Sequence, residues 1–95
     1  MKIDDLAHEL EEVARKLSVR VSYEDLRWEG PGGKGGSCRV HDERRIIINK
    51  ALNKEDRARI LARELGKFPL EEMSVPPGVR EFIDDSRVDL APEGP

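Results

Sequence analysis

The fold of this chain depends first on one stretch, Gly36-Ser-Cys-Arg-Val-His-Asp-Glu-Arg-Arg-Ile-Ile-Ile-Asn49. Apolar and polar side chains alternate on both sides of the polar run His41–Arg44, with the apolar positions at Cys38, Val40, Ile46 and Ile48. A period of two that is interrupted by a polar turn is typical of a β-hairpin. We therefore predict a hairpin whose first strand turns Cys38 inward beside Val40, where a small thiol would pack as an apolar group.

The chain that precedes this hairpin predicts one helix and one strand. From Ile3 onward the apolar residues recur at the 3.6-residue spacing of a helical stripe, at Leu6, Ala7, Leu10, Val13, Ala14 and Leu17. Val19, Val21 and Tyr23 then alternate with polar residues, which indicates a half-buried strand. This strand and the hairpin together form a small three-stranded sheet.

The chain that follows the hairpin predicts two more helices. Asn53 is a typical helix cap, and apolar residues repeat at helical spacing until Gly66 and Pro69, at Ala58, Leu61, Ala62, Leu65 and Phe68. We expect this helix to extend from about Lys54 to Lys67. The pair Pro76-Pro77 then begins a short helix in which one face carries Val79, Phe82 and Ile83.

These elements predict an α+β fold with one modest core, as expected for 95 residues. The N-terminal helix and the central helix pack on one face of the sheet, and the short C-terminal helix completes the core. We expect a single domain over residues 1–88 and a flexible tail over residues 89–95. The glycine-rich residues 30–36 predict a mobile loop inside the domain.

Composition and charge exclude several functional classes. Seventeen cations against twenty anions give a net charge of −3, so we expect neither nucleic acid nor an anionic membrane as a partner. The single cysteine, Cys38, cannot form an internal disulfide, which is consistent with a reducing cytoplasm. The longest aliphatic run is Ile46-Ile47-Ile48, and acidic residues stand where a signal peptide would be apolar, so we expect no secretion and no membrane span.

The segment Leu61-Ala-Arg-Glu-Leu-Gly-Lys-Phe68 resembles the active helix of the gluzincin-type zinc peptidases. It is most similar to the small ImmA/IrrE-like family, whose helix typically reads Leu-Ala-His-Glu-Leu-Gly-His-Phe. In that family the two histidines bind zinc and the glutamate activates the bound water. The order helix, strand, hairpin, helix over residues 3–68 is also similar to a zincin-like core. Residues 36–80 further resemble a group of small uncharacterised bacterial proteins, which implies no known activity.

The resemblance implies a fold that has lost its metal site. Arg63 and Lys67 stand at the two histidine positions, and neither side chain offers a metal a lone pair at neutral pH. Glu64 remains, without a metal-bound water to activate. We therefore expect no catalytic residue, no bound metal and no cofactor, and the resemblance points away from an enzyme.

We accordingly predict a non-catalytic binding or regulatory module of a bacterial cytoplasm, with an unknown protein partner. The candidate partner-binding residues are Arg59, Arg63, Glu64 and Lys67. Helical geometry places three of them, together with Ile60, opposite the apolar stripe and so away from the main core. A structural interpretation stays open, in which Glu55 and Glu64 simply pair with the cations of this ridge.

Two other functions stay open as alternatives. One is a metal-dependent hydrolase with an unrecognised site at Cys38, His41 and the carboxylates Asp42 and Glu43, although these residues fall short of a full ligand set. The other is a structural homodimer that pairs through an exposed hairpin edge.

Three further residues attract a functional interpretation that their surroundings do not favour. Lys34 lies in the glycine-rich loop, but that loop fails the phosphate-binding pattern because neither Ser nor Thr follows the lysine and no helix begins there. Trp28 suits either core packing or an interface. His8 falls on the polar face of the first helix.

Overall fold

In the computed structural model, which describes residues 2–26 and 35–89, the chain begins with helix α1 (Ile3–Lys16). The predicted apolar stripe is the buried face of this helix, with Leu6, Leu10, Val13 and Ala14 in the core. Acidic residues occupy its first turn and basic residues its last turn, as the helix dipole favours. Local periodicity was therefore sufficient to predict this element.

A tight connection carries the chain from α1 into strand β1 (Val19–Glu24). Ser18 adopts a left-handed backbone conformation with φ of 60°, and its amide donates to the carbonyl of Arg15. This left-handed residue ends the helix and lets the strand begin directly after it. The predicted strand is confirmed.

The predicted hairpin consists of β2 (Gly35–Val40) and β3 (Glu43–Asn49). Its turn is shorter than the polar run suggested, because only His41 and Asp42 lie outside the strands, both with positive φ. Positive φ at both central residues gives the two-residue turn whose twist matches that of paired strands. Gly35 and Gly36 belong to β2, so the strand includes two residues that we assigned to the glycine-rich loop, and the rest of that loop lies outside the described residues.

The sheet has the order β1-β3-β2, with β1 parallel and β2 antiparallel to β3. Ile46 and Ile48 are fully buried on the helix-covered face. Cys38 lies opposite Arg45, on the other face, and is exposed. The predicted inward orientation of Cys38 is therefore wrong, because the two-residue turn sets a register in which Ser37, not Cys38, lies opposite Ile46.

Helix α2 (Lys54–Leu65) follows the sheet, and helix α3 (Pro77–Asp89) follows α2. Asn53 caps α2 by accepting a hydrogen bond of 2.8 Å from the amide of Asp56, as predicted. Helix α2 ends two residues earlier than we expected, and Lys67 lies in the following turn. The confirmed architecture is a small α+β fold with an N-terminal and a C-terminal helix.

The central helix α2 is covered by several elements. It packs against α1, α3 and the sheet. As a result Ile60 and Glu64 are both buried, with 2% and 1% of their surface exposed. The prediction that this face points away from the core is therefore wrong, because the sheet and both other helices pack against α2, and helical periodicity alone does not reveal this packing.

The C-terminal end of the described residues lies in helix α3. Helix α3 includes Asp89, which we had placed in the tail, and the tail prediction for residues 90–95 lies outside the described residues. None of the helices in residues 2–26 and 35–89 combines the length and apolar character that a membrane span requires.

Candidate functional site

The candidate site is centred on Glu64, in the last turn of α2. Both of its carboxylate oxygens are bound by neighbouring cations. Lys67 Nζ lies 2.9 Å from Oε1, and Arg63 Nε lies 3.0 Å from Oε2. The structural interpretation that we left open, in which Glu64 forms ion pairs with neighbouring cations, is therefore present in the structure. Glu55, the other acid of that interpretation, is exposed.

The protonation of Glu64 follows from this environment. Burial by itself would raise the pKa of the carboxyl, but the hydrogen bonds and positive charges of Lys67 and Arg63 outweigh that effect and hold the pKa below its ordinary range. Glu64 is therefore an ionised carboxylate at neutral pH, with a cation on each oxygen. Such a group is poorly suited to act as a general base, because a base must reach the proton that it abstracts.

The donor set around Glu64 does not fit a zinc ion. The two side chains at the histidine positions of the resembled motif are cations that already donate to the glutamate. Neither an arginine nor a protonated lysine offers a lone pair to a metal ion. Arg63 and Lys67 therefore place positive charges at the two positions where a metal site would need neutral ligands.

The alternative metal site at the hairpin turn does not assemble in the described residues either. Within residues 2–26 and 35–89, no three His, Cys, Asp or Glu side chains come close enough together to hold a metal ion. Glu43, a predicted ligand, instead accepts from Arg45 Nε at 2.7 Å and lies 4.0 Å from Arg20 Nε. Cys38 and His41 are both exposed.

The four candidate partner-binding residues differ in how far they are exposed. Glu64 is buried, and the Arg63 side chain is 25% exposed, whereas the Lys67 side chain is 61% exposed. Arg59 lies one turn before Arg63 in α2, with its guanidinium 5.8 Å from the centre of the Phe82 ring. Of the four, Lys67 is the residue most accessible to a partner.

A pocket that our sequence reasoning missed lies beside Lys67. It has a volume of about 260 Å³ and is lined by Ser37, Cys38, Arg39, Arg44, Lys67 and Phe68. Arg44 lies over the Phe68 ring, with 5.1 Å between the guanidinium carbon and the ring centre. The signal was the polar hairpin turn itself, because a two-residue turn at His41-Asp42 places Arg39 directly opposite Arg44.

Two sequence features that attracted a functional interpretation lie outside the described residues. These are Trp28 and the part of the glycine-rich loop that contains Lys34. His8, in contrast, is exposed on α1, as expected from its place on the polar face.

Comparison of the chain with known protein families, with curated proteins and with solved structures found no match.

Proposed function

We propose that this chain is a non-catalytic binding or regulatory module, with a zincin-like arrangement of helix and sheet that lacks a metal site. The observation that carries the proposal is the double ion pair of Glu64 with Arg63 and Lys67. In an active site this carboxylate would need to reach a substrate or a water. Here its two oxygens are occupied by cations at the same end of α2, so Glu64 has a structural role as their counterion.

The element order supports the resemblance on which the proposal draws. A helix, a strand, a hairpin and a second helix follow one another, with the resembled motif at the end of the second helix. The antiparallel strand β2 forms one edge of the sheet, and the pocket lies between this strand and the end of α2. We place the binding surface at this pocket, because it brings accessible cations and an aromatic ring together.

The proposal is tested first by the metal content of the protein. Tag-free protein purified without chelators should contain no stoichiometric zinc or other transition metal by elemental analysis. Its thermal unfolding midpoint should be unchanged by added zinc or by a chelator, because a ligand that binds only the folded state would raise that midpoint.

A stoichiometric metal would overturn the proposal and favour a metal-dependent hydrolase. In that case Cys38→Ser and His41→Ala variants would show whether the hairpin turn holds the ion. An Arg15→Gln variant would be the matched control, because it changes an exposed side chain of α1 that lines neither candidate site.

A further inference from the structure

The pocket beside Lys67 contains three cations contributed by three different segments. Arg39 comes from β2, Arg44 from β3, and Lys67 from the turn after α2. The residues that line this pocket, all within the described part of the chain, include no Asp or Glu. Positive charge is thus concentrated here in a molecule whose net charge is −3.

The acid that precedes Arg44 in β3 points away from the pocket. Glu43 is the strand residue next to Arg44, so it points to the opposite face of the sheet, where it binds Arg45 and Arg20. Across residues 2–26 and 35–89, neither Arg39 nor Arg44 has a carboxylate within ion-pair distance. Lys67 donates one hydrogen bond to Glu64, and an ammonium has three N–H donors, so two remain.

The register of the hairpin makes this arrangement unfavourable in the absence of a counterion. Arg39 and Arg44 are direct cross-strand partners, and like charges at opposite positions repel each other. The Phe68 ring contacts one face of the Arg44 guanidinium. The N–H groups at the edge of the guanidinium therefore remain available to an anion. An anion between the two strands and Lys67 would relieve the repulsion.

The size and charge of the pocket indicate the class of anion. A volume of about 260 Å³ is below the usual range for whole cofactors but is sufficient for a small oxyanion. Three cations suit a group that carries nearly two negative charges and several acceptor oxygens, which is a phosphoryl group rather than a single carboxylate. We infer that this pocket binds a phosphoryl group, either as free phosphate or as a phosphate monoester. The inference rests on the proposed function, because it supplies the binding module with a ligand.

The inference is tested by titration of the full chain with inorganic phosphate and, separately, with methyl phosphate. Ionic strength is held constant with chloride, and amide chemical shifts are followed by NMR. We expect saturable shifts at Ser37–Arg39, Arg44 and Lys67-Phe68. The variants Arg39→Gln and Arg44→Gln should each weaken binding by about tenfold or more, as loss of a charge-assisted contact would.

Arg20→Gln is the matched control, because it removes the same charge from a strand residue on the opposite face of the sheet. It should leave phosphate affinity within about twofold of the parent, since screening weakens distant charges. All three arginines are exposed, and circular dichroism of each variant checks that the fold is retained.

The two probes distinguish the source of the phosphoryl group. Saturable binding of inorganic phosphate alone identifies a free-ion site, and binding of methyl phosphate identifies a site that accepts an esterified group. The inference is overturned if neither probe binds, if acetate binds as tightly as phosphate, or if Arg20→Gln weakens binding as much as Arg39→Gln. Metal analysis of the same preparation separates the two proposals, because metal-free protein without phosphate binding contradicts only the ligand assignment.

Discussion

Glu64 carries a full negative charge in the core of a small domain, so its two cationic neighbours determine what it contributes to stability. The change Glu64→Gln keeps the shape of the side chain but removes the charge, and Arg63 and Lys67 then lack their counterion. We expect this variant to lower the free energy of unfolding by about 1–3 kcal/mol. The lower part of this range applies if water screens the exposed Lys67 effectively.

Urea denaturation at pH 7 measures this loss, and Glu12→Gln is its matched control. Glu12 also accepts from an arginine, Arg15 at 2.8 Å, but that pair lies on the exposed face of α1. Its loss should have a much smaller effect, because exposed ion pairs contribute little. Equal effects of the two substitutions would contradict the structural role that we assign to Glu64.

The lowered pKa of Glu64 predicts a specific dependence of stability on pH. A carboxyl whose pKa is lower in the folded state stabilises the fold above its unfolded pKa of about 4.3, and this contribution is lost as the pH falls toward the folded value. The stability difference between the parent protein and Glu64→Gln should therefore be largest near neutral pH and should shrink below about pH 4. A difference that stays constant across this range would argue against the ion pairs.

Ser86 presents the opposite case of a buried polar group. It is fully buried in α3, and its hydroxyl has no hydrogen-bond partner among the described residues. The change Ser86→Ala removes a hydroxyl that gains nothing from burial and adds a better helix former. We expect the thermal unfolding midpoint to stay the same or to rise, and a clear fall would show that the hydroxyl does have a partner.

At the scale of the elements, two adjacent glycines at the start of β2 have different roles. Gly35 has a φ of +138°, and a Cβ there would lie 2.3 Å from the carbonyl oxygen of Ile47. A Cβ on Gly36 would meet nothing within 4 Å. We expect Gly35→Ala to cost about 1–3 kcal/mol in unfolding free energy, and Gly36→Ala to change it by less than about 0.5 kcal/mol.

Urea denaturation of the two alanine variants measures this contrast. Each variant adds the same methyl group to neighbouring positions of one strand, so differences in β propensity largely cancel. Similar stabilities for the two would contradict the close approach of β2 to β3 at Gly35.

The elements also show which sequence signals were reliable. The stripe of α1, the Asn53 cap and the alternation of β3 are local patterns, and each correctly predicted its element. The prediction of which β2 side chains point toward the helices was wrong, because alternation within a strand does not say which of its two faces is buried. The turn decides this orientation, since His41 and Asp42 determine which residue of β2 lies opposite each residue of β3.

At the scale of the whole molecule, the surface of the described residues predicts a monomer. Among these residues Tyr23 is the one large apolar side chain that is exposed, at 36%, and its hydroxyl donates to Glu11 at 2.6 Å. A stable homodimer normally buries an apolar face, and these residues do not present one. Sedimentation equilibrium should therefore give a mass near 10.8 kDa. A doubled mass would favour the alternative of pairing through the hairpin edge.

By itself, the sequence determined the identity and order of the elements, because helical and strand periodicities, caps and turn residues act over a few neighbouring positions. It also determined that Arg63 and Lys67 cannot replace histidines as metal ligands, which is a property of the side chains themselves. These two conclusions required no knowledge of how the elements pack.

The tertiary structure alone decided the burial of Glu64 and the existence of the pocket. Periodicity indicates which face of a helix is apolar, but tertiary packing can bury a carboxylate outside that face when cations neutralise it, as Arg63 and Lys67 neutralise Glu64. The pocket likewise depends on residues that are distant in sequence, Arg39, Arg44 and Lys67. Such juxtapositions arise only when the sheet and α2 pack together, because no local pattern links their positions.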